Sequence, residues 1–516
     1  MYLRALLFLL FVATGFVTYA TPPGFSGLVQ GPYSVGFRVV AQYDYSRSYK
    51  GATDAFTGQP IVGERARPLQ TLVWYPAAKG GTPLRYGDYL RTEATDEVLT
   101  RSAADIAAFV ATKQQWMANR VGAAQAQALG AQRMWAVANA PAVAGKFPVV
   151  LYAPGRAGTA HELADLGEYL ASQGYVVLAS RSLGTRTALM NTDVEGLTSQ
   201  AQDLEFLLGY AHSLPQADLG HVAALGWSWG GLANVVAATK DPRISALVSF
   251  DGTREPELTK PLPPTRLTIP WLYIQRRPDT VSDLSRQGVE TSFSLLNEVK
   301  YANVYQLTMQ PMQHFDFSSF LLRTQPPSYF TEYSRAEIEA AYYWSCRYTL
   351  EFLNASLKGN AASRTFLDQP PVRNGVPAHL ARLQHTPALP GAVPTQAGLA
   401  AALAQQGFAQ ALPLYRQLQQ QDPAFRLSAD ELNSWGYTLL AEPASQAAAR
   451  AIFALGTQLY PTDANLFDSL AEAEERNHDA PAAIRHYQRS LELNPQNANA
   501  RQHLQTLGAP AAGPSK

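Results

Sequence analysis

This chain is poor in several things that would otherwise frame its chemistry. It has one cysteine in 516 residues, Cys346, so it can form no intramolecular disulfide and no cysteine-based metal cluster. Cys346 falls in a helical pattern among Tyr342, Tyr343, Trp344 and Tyr348 and reads as core. An excess of either charge is also lacking. Lys+Arg and Asp+Glu number 41 each, with no long acidic or basic run, which argues against nucleic acid or an acidic membrane surface as partner. A long apolar run occurs at the N-terminus, from Ala5 to Val17, behind the basic start Met1-Tyr2-Leu3-Arg4 and ahead of Thr18-Tyr19-Ala20. It is short for a membrane span and has the layout of a cleaved secretory signal over residues 1–20, the alternative being an uncleaved anchor. Either reading puts the folded part outside the cytoplasm, periplasmic or secreted.

Strand-like and helix-like segments then alternate up to residue 358. Leu69–Pro76 alternates with period two, as an early antiparallel strand would. Phe147–Tyr152, Tyr175–Ala179, Val222–Leu225, Ala246–Phe250, Trp271–Ile274 and Val304–Leu307 are short apolar runs, suited to strands covered on both faces. Helical patterns lie between them at His161–Leu170, Thr198–Leu208 and Leu232–Lys240. A last helix begins at Ser334 with Glu337 in capping-box position and runs to about Leu357. The expected fold class is α/β, a doubly wound and mostly parallel sheet over residues 21–358. Residues 96–140, with Trp116 and Trp135, read as an alanine-rich helical insertion, either a lid over the site or plain packing.

From residue 359 to 397 prolines accumulate and the pattern dissolves, which predicts a linker. Beyond it Ala411, Tyr415 and Pro423 recur at the same offsets as Ala449, Phe453 and Pro461, and again as Ala483, Tyr487 and Pro495. A small residue, an aromatic and a helix-ending proline at fixed offsets resemble the tetratricopeptide repeat, implying a small all-α domain over 398–508 with a surface for a protein partner. Residues 509–516 read as a disordered tail.

The chemistry concentrates in Gly226-Trp227-Ser228-Trp229-Gly230, which follows a strand pattern and opens a helical one. That context makes G-x-S-x-G a nucleophile elbow: glycines permit the tight turn and the serine hydroxyl is exposed at its apex. A serine needs a base, and the base an orienting acid, here in the chain order serine, acid, histidine. Of the histidines after Ser228, His314 is the one in a loop directly after a strand pattern; His379 and His385 lie in the proline-rich segment, and His478, His486 and His503 in the repeats. Asp251 ends one strand and Asp279 follows the next, so either can be the acid; Asp283 and Asp316 are weaker candidates. Backbone N–H groups of Trp229 and of Arg156 or Ala157, in the loop after the Phe147 strand, are the expected oxyanion donors. Trp227 either walls a substrate pocket or packs beneath the elbow.

Gly31-Pro32-Tyr33-Ser34-Val35-Gly36-Phe37, Leu72-Val73-Trp74-Tyr75-Pro76, the Ser228 elbow, the Asp251 strand end and His314-Phe315-Asp316-Phe317 together resemble the platelet-activating-factor acetylhydrolase-like branch of the α/β-hydrolases, close to the dienelactone-hydrolase-like group. The resemblance spans roughly residues 30–358 and implies Asp251 as the acid. Dienelactone hydrolases proper carry cysteine at the elbow, so their lactonase activity does not transfer to Ser228. Many relatives also place a His-Gly pair where this chain has Ala153-Pro154-Gly155-Arg156.

The expectation is an exported serine esterase acting on a small-molecule ester through an acyl-enzyme, requiring no metal or organic cofactor. The rival is an interaction protein whose repeats act while the hydrolase-like domain is weak or inactive. A peptidase would use the same triad.

Overall fold

The computed structural model describes residues 24–252, 256–277 and 294–509. The expected signal segment, Asp279, Asp283 and nearly all of the expected tail lie outside the described residues. The chain divides into two compact units, one up to Pro390 and one from Gly391.

The first unit is organised by a sheet with eleven strands among the described residues: β1 (Ser34–Ser48), β2 (Ala66–Ala77), β3 (Pro83–Arg85), β4 (Arg133–Ala138), β5 (Phe147–Ala153), β6 (Val176–Ala179), β7 (Ala217–Trp227), β8 (Ile244–Phe250), β9 (Trp271–Arg276), β10 (Val304–Met309) and β11 (Ala381–Thr386). Their spatial order is β11-β10-β9-β8-β7-β5-β6-β2-β1-β4-β3. The six strands from β6 to β10 in that order are parallel, and β2 and β11 flank them antiparallel. This is the doubly wound, mostly parallel sheet expected.

Period-two alternation sorts the strand side chains to the two faces. Val150 and Tyr152 of β5 and Ala223, Leu225 and Trp227 of β7 join a core with the helices Ala164–Ser172 and Arg335–Leu357. Val149 and Leu151, with Val222 and Ala224, join the opposite core with the helices Val194–Ala211 and Trp229–Lys240. Both faces are covered, so these strands carry continuous apolar runs. The chain goes from β5 outward to β6, then crosses back over β5 to β7 and continues outward to β10. The winding therefore reverses between β5 and β7, and a crevice opens beyond the carboxyl ends of those strands.

Two expectations need correction. The segment 96–140 is helical only in part: helices Ala103–Val121 and Ala123–Ala131 are followed by β4, which pairs parallel to β1 and buries Trp135. The β-branched and aromatic stretch Met134-Trp135-Ala136-Val137 outweighs the alanine-rich helical pattern before it. The helix Ala103–Val121 rests on the helix Ser319–Arg323: Trp116 stacks on Phe320 with centroids 5.6 Å apart, and Arg120 Nε donates to the Thr324 carbonyl at 3.0 Å.

The segment 359–397 is a linker only at its end. It begins with a helix, Ala361–Asp368, and contributes β11, paired with β10 from Val304↔Thr386 to Met309↔Ala381. The prolines 370, 371 and 377 lie in the turns before this strand and Pro387 follows it, so none removes a ladder hydrogen bond. His385 stacks on Tyr305 of β10, centroids 4.1 Å apart.

The second unit is helical: Gln396–Gln406, Ala411–Gln421, Ala429–Leu440, Gln446–Leu459, Ala464–Arg476, Ala480–Leu493 and Ala498–Thr506. The three sequence triplets take equivalent places in three of these helices. Ala411, Ala449 and Ala483 and the aromatics Tyr415, Phe453 and Tyr487 are buried, and each proline follows the helix end. Gly436 abuts the Phe453 ring so closely that a Cβ would overlap it.

Candidate active site

Ser228 sits between β7 and the helix Trp229–Lys240 with φ 55° and ψ −123°, a conformation that costs a non-glycine residue about 1–3 kcal/mol. Its neighbours hold it there. A Cβ on Gly226 would strike the Gly230 backbone, and one on Gly230 would overlap the Ala153 carbonyl at the end of β5. Glycine at both positions lets strand, turn and helix pack this closely, and the strain is stored at the serine.

The turn His314–Phe317 follows β10 and brings the imidazole to the elbow. His314 Nε2 lies 2.8 Å from Ser228 Oγ, and His314 Nδ1 lies 2.7 Å from Asp251 Oδ2. With the carboxylate on the Nδ1 side, the neutral ring keeps its proton on Nδ1 and turns the Nε2 lone pair toward the serine. The Asp251 side chain is fully buried at the end of β8, and φ at this residue is 46°. Its Oδ1 accepts the Arg276 backbone N–H at 3.2 Å, and its Oδ2 lies 3.0 Å from Arg276 Nε. Arg276 thus holds the carboxylate that also meets the imidazole.

Of the two carboxylates among the described residues that the sequence offered, Asp251 meets His314. Asp316 points elsewhere: its Oδ2 accepts the Gln313 N–H at 2.7 Å and caps the turn, and burial pushes its carboxyl up to about 6. His379 and His385 lie away from the elbow, against Glu337 and Tyr305.

Trp229 occupies the first position of the elbow helix, where a backbone N–H has no intrahelical acceptor. The other expected donors, Arg156 and Ala157, are exposed in the loop that follows β5. That loop passes directly against Ser228, since a Cβ on Gly155 would lie 3.4 Å from Ser228 Cβ. Trp227 is 5% exposed and packs beneath the elbow; its Nε1–H donates to the His314 carbonyl at 2.9 Å. Phe315, its ring centroid 5.5 Å from that of the imidazole, is 52% exposed. Among the described residues no group of three or more His, Cys, Asp and Glu side chains could hold a metal ion.

Three residues the sequence did not single out shape the site. Arg276 clamps Asp251, while Tyr152 and Glu162 meet under the loop after β5. Arg276 is the last residue of β9, and only the strand order brings that edge to the end of β8. Glu162 carried one weak signal, an acidic residue just ahead of a helix that proves buried throughout.

The dienelactone hydrolase family model matches residues 134–273, from β4 into β9, a stretch holding Ser228 and Asp251 and ending before His314. An alpha/beta hydrolase of Xenoacremonium sinensis, xenA, is 37% identical over 118 residues, 21% of this chain and 27% of that protein. The bis(hydroxyethyl) terephthalate hydrolase of Streptomyces coelicolor is 34% identical over 104 residues, 20% of this chain and 32% of its own length. The chain therefore spans 27% and 32% of these two curated relatives. The solved ferulic acid esterase from Streptomyces cinnamoneus superposes on 71% of this chain and 98% of its own, with a TM-score of 0.47 and 20% identity. Within its first unit the chain carries a dienelactone hydrolase family domain of the α/β-hydrolase superfamily.

Proposed function

We propose that this protein is an exported serine hydrolase that cleaves a carboxylic ester through an acyl-enzyme. The observation that carries the reading is the run of contacts from Ser228 Oγ through His314 to Asp251, at 2.8 and 2.7 Å. His314 Nε2 takes the hydroxyl proton as Ser228 Oγ attacks the ester carbonyl, and Asp251 stabilises the imidazolium. The N–H of Trp229 and one from Arg156 or Ala157 hold the oxyanion. As the intermediate collapses, His314 returns the proton to the leaving alcohol. Water then attacks the acyl-Ser228 with the same base and releases the acid. The named activity of the Streptomyces coelicolor relative and the exposed Phe315 both favour an ester with an apolar or aromatic acyl group.

Hydrolysis of nitrophenyl esters of increasing acyl length, and of bis(hydroxyethyl) terephthalate, tests this directly. His314→Ala is expected to lower kcat by about 10⁶-fold. A variant as fast as the parent would remove the base from the account, and a parent that turns over none of these esters would favour the interaction-protein reading.

The second unit is read as tetratricopeptide-like repeats that bind a protein partner, a reading supported by the equivalent burial of its three Ala–aromatic pairs. A partner recovered with the full chain should be lost when residues 391–516 are removed. Export is tested by fractionating cells that express the full chain.

A further inference from the structure

The loop Pro154–Thr159 is folded around a carboxyl group. A Cβ on Gly158 would lie 2.6 Å from Glu162 Oε2 and 2.8 Å from Oε1, so only glycine leaves room for the acid there. Glu162 Oε1 accepts the Gly155 N–H at 3.2 Å and the hydroxyl of Tyr152, which stands on β5. The glutamate is 3% exposed, and its oxygens occupy the inner side of a loop whose Gly155 abuts Ser228. Its main chain reaches in a second direction. The Glu162 carbonyl accepts the Phe320 N–H at 3.2 Å and lies 3.3 and 3.1 Å from the Ser318 and Ser319 hydroxyls, on the segment that follows the His314 turn.

We propose that Glu162 is a positioning residue for ester hydrolysis: its carboxyl shapes the loop that presents the oxyanion donors, and its carbonyl ties that loop to the segment carrying the base. This rests on the serine-hydrolase reading above. The electrostatics give the role a direction. Burial raises the Glu162 carboxyl to about 8, against the lowering effect of the Tyr152 hydroxyl and the Gly155 and Thr159 N–H groups, with the Glu93 charge adding to the rise. The titratable groups around it are Tyr152 on β5, Tyr342 behind Tyr152, and Glu93 with its partners His161 and Lys113. A neutral acid fills the loop without opposing the charge on its outer face. An ionised one sets a negative charge behind the groups that must stabilise an oxyanion.

The test is the pH profile of kcat for the full-length parent, Glu162→Gln and Glu162→Ala on a nitrophenyl ester. Hydrogen exchange of the peptide covering 154–160 is measured alongside. The parent should lose kcat as pH rises through about 8. Glu162→Gln keeps the shape of the neutral acid and cannot ionise, so it should stay within about fivefold at pH 7 and lose that alkaline fall. Glu162→Ala should lose about 10²-fold in kcat with little change in KM, and exchange in the 154–160 peptide should quicken. An alkaline fall unchanged in Glu162→Gln, or unaltered exchange in Glu162→Ala, overturns the inference. A parent that turns over no ester refutes the hydrolase reading instead, and the exchange result still judges the loop. If Glu162→Ala does not fold, Glu162→Gln alone decides.

Discussion

The indole N–H of Trp227 donates to the main-chain carbonyl of His314 across 2.9 Å, so the residue before Ser228 holds the turn that carries His314. The two rings also tilt against each other, centroids 5.3 Å apart. Elbow and histidine turn are thereby fixed to each other as well as to the sheet. Trp227→Phe keeps an aromatic ring, a smaller one, and removes the donor. A lost hydrogen bond of about 1 kcal/mol at this point should cost roughly fivefold in kcat. Steady-state kinetics with a melting curve check it; an unchanged kcat would show that the bond does not position His314.

Asp251→Asn keeps the side-chain shape but puts an amide where the Nδ1 proton must be accepted. It should lower kcat by about 10³–10⁴-fold with a modest effect on KM. Asp316→Asn, which alters the turn's cap instead, should lower stability more than turnover. Equal losses of kcat in the two variants would contradict Asp251 as the orienting acid.

Arg67 and Asp203 form a buried two-point ion pair, Nε and Nη2 each reaching one carboxylate oxygen at 2.7 and 2.6 Å, and Arg47 adds a third contact at 2.8 Å. Removing one partner leaves a guanidinium that is 2% exposed without its counter-charge. Asp203→Ala should therefore destabilise the first unit by about 3–5 kcal/mol. Urea unfolding followed by tryptophan fluorescence measures this, and a loss below about 1 kcal/mol would contradict it.

Glu168 is raised by burial to about 7 although the N–H groups of Trp135 and Ala136 and the Tyr89 hydroxyl donate to it. Between its ordinary value near 4.5 and about 7 the folded chain holds a proton that the unfolded chain has released. Stability from this group is full below 4.5 and declines as pH rises through 7. Asp96 and Glu162, raised to about 6 and about 8, act in the same direction. The first unit should melt several degrees lower at pH 8.5 than at pH 5.5, with a smaller difference in Glu168→Gln. A melting temperature that climbs over this range would contradict the assignment.

β11 seals the β10 edge through six paired residues. A chain ending at residue 358 should expose that edge and aggregate, while one ending at residue 390 should stay soluble and keep the esterase rate of the full chain. Light scattering and nitrophenyl ester turnover of the two truncations test the boundary. Equal solubility of both would show that β11 is dispensable.

Local pattern made some of this legible and geometry supplied the rest. The parallel strands and their helices announced themselves because both faces are buried and the runs are apolar, as in Val222–Leu225. The elbow was readable because its five-residue pattern stands between a strand run and a helical one, although only Gly226 is required by near neighbours and Gly230 by the end of β5. His314 was reachable from chain order and its place after a strand, whereas strand ends left Asp251 and Asp279 open and the family resemblance favoured Asp251. β4 and β11 were hidden, one behind an alanine-rich helical stretch and the other among prolines that fall outside its pairing. Arg276 and Glu162 were hidden for another reason. Their roles depend on which strand ends become neighbours, and no local spacing encodes that.

The central claim is that Ser228 is the nucleophile activated by His314, and intact-mass analysis after fluorophosphonate treatment tests it most directly. The account predicts one adduct on the parent, mapped to the peptide containing Ser228, none on Ser228→Ala, and much slower labelling of His314→Ala. Labelling of Ser228→Ala to the same extent as the parent would contradict it.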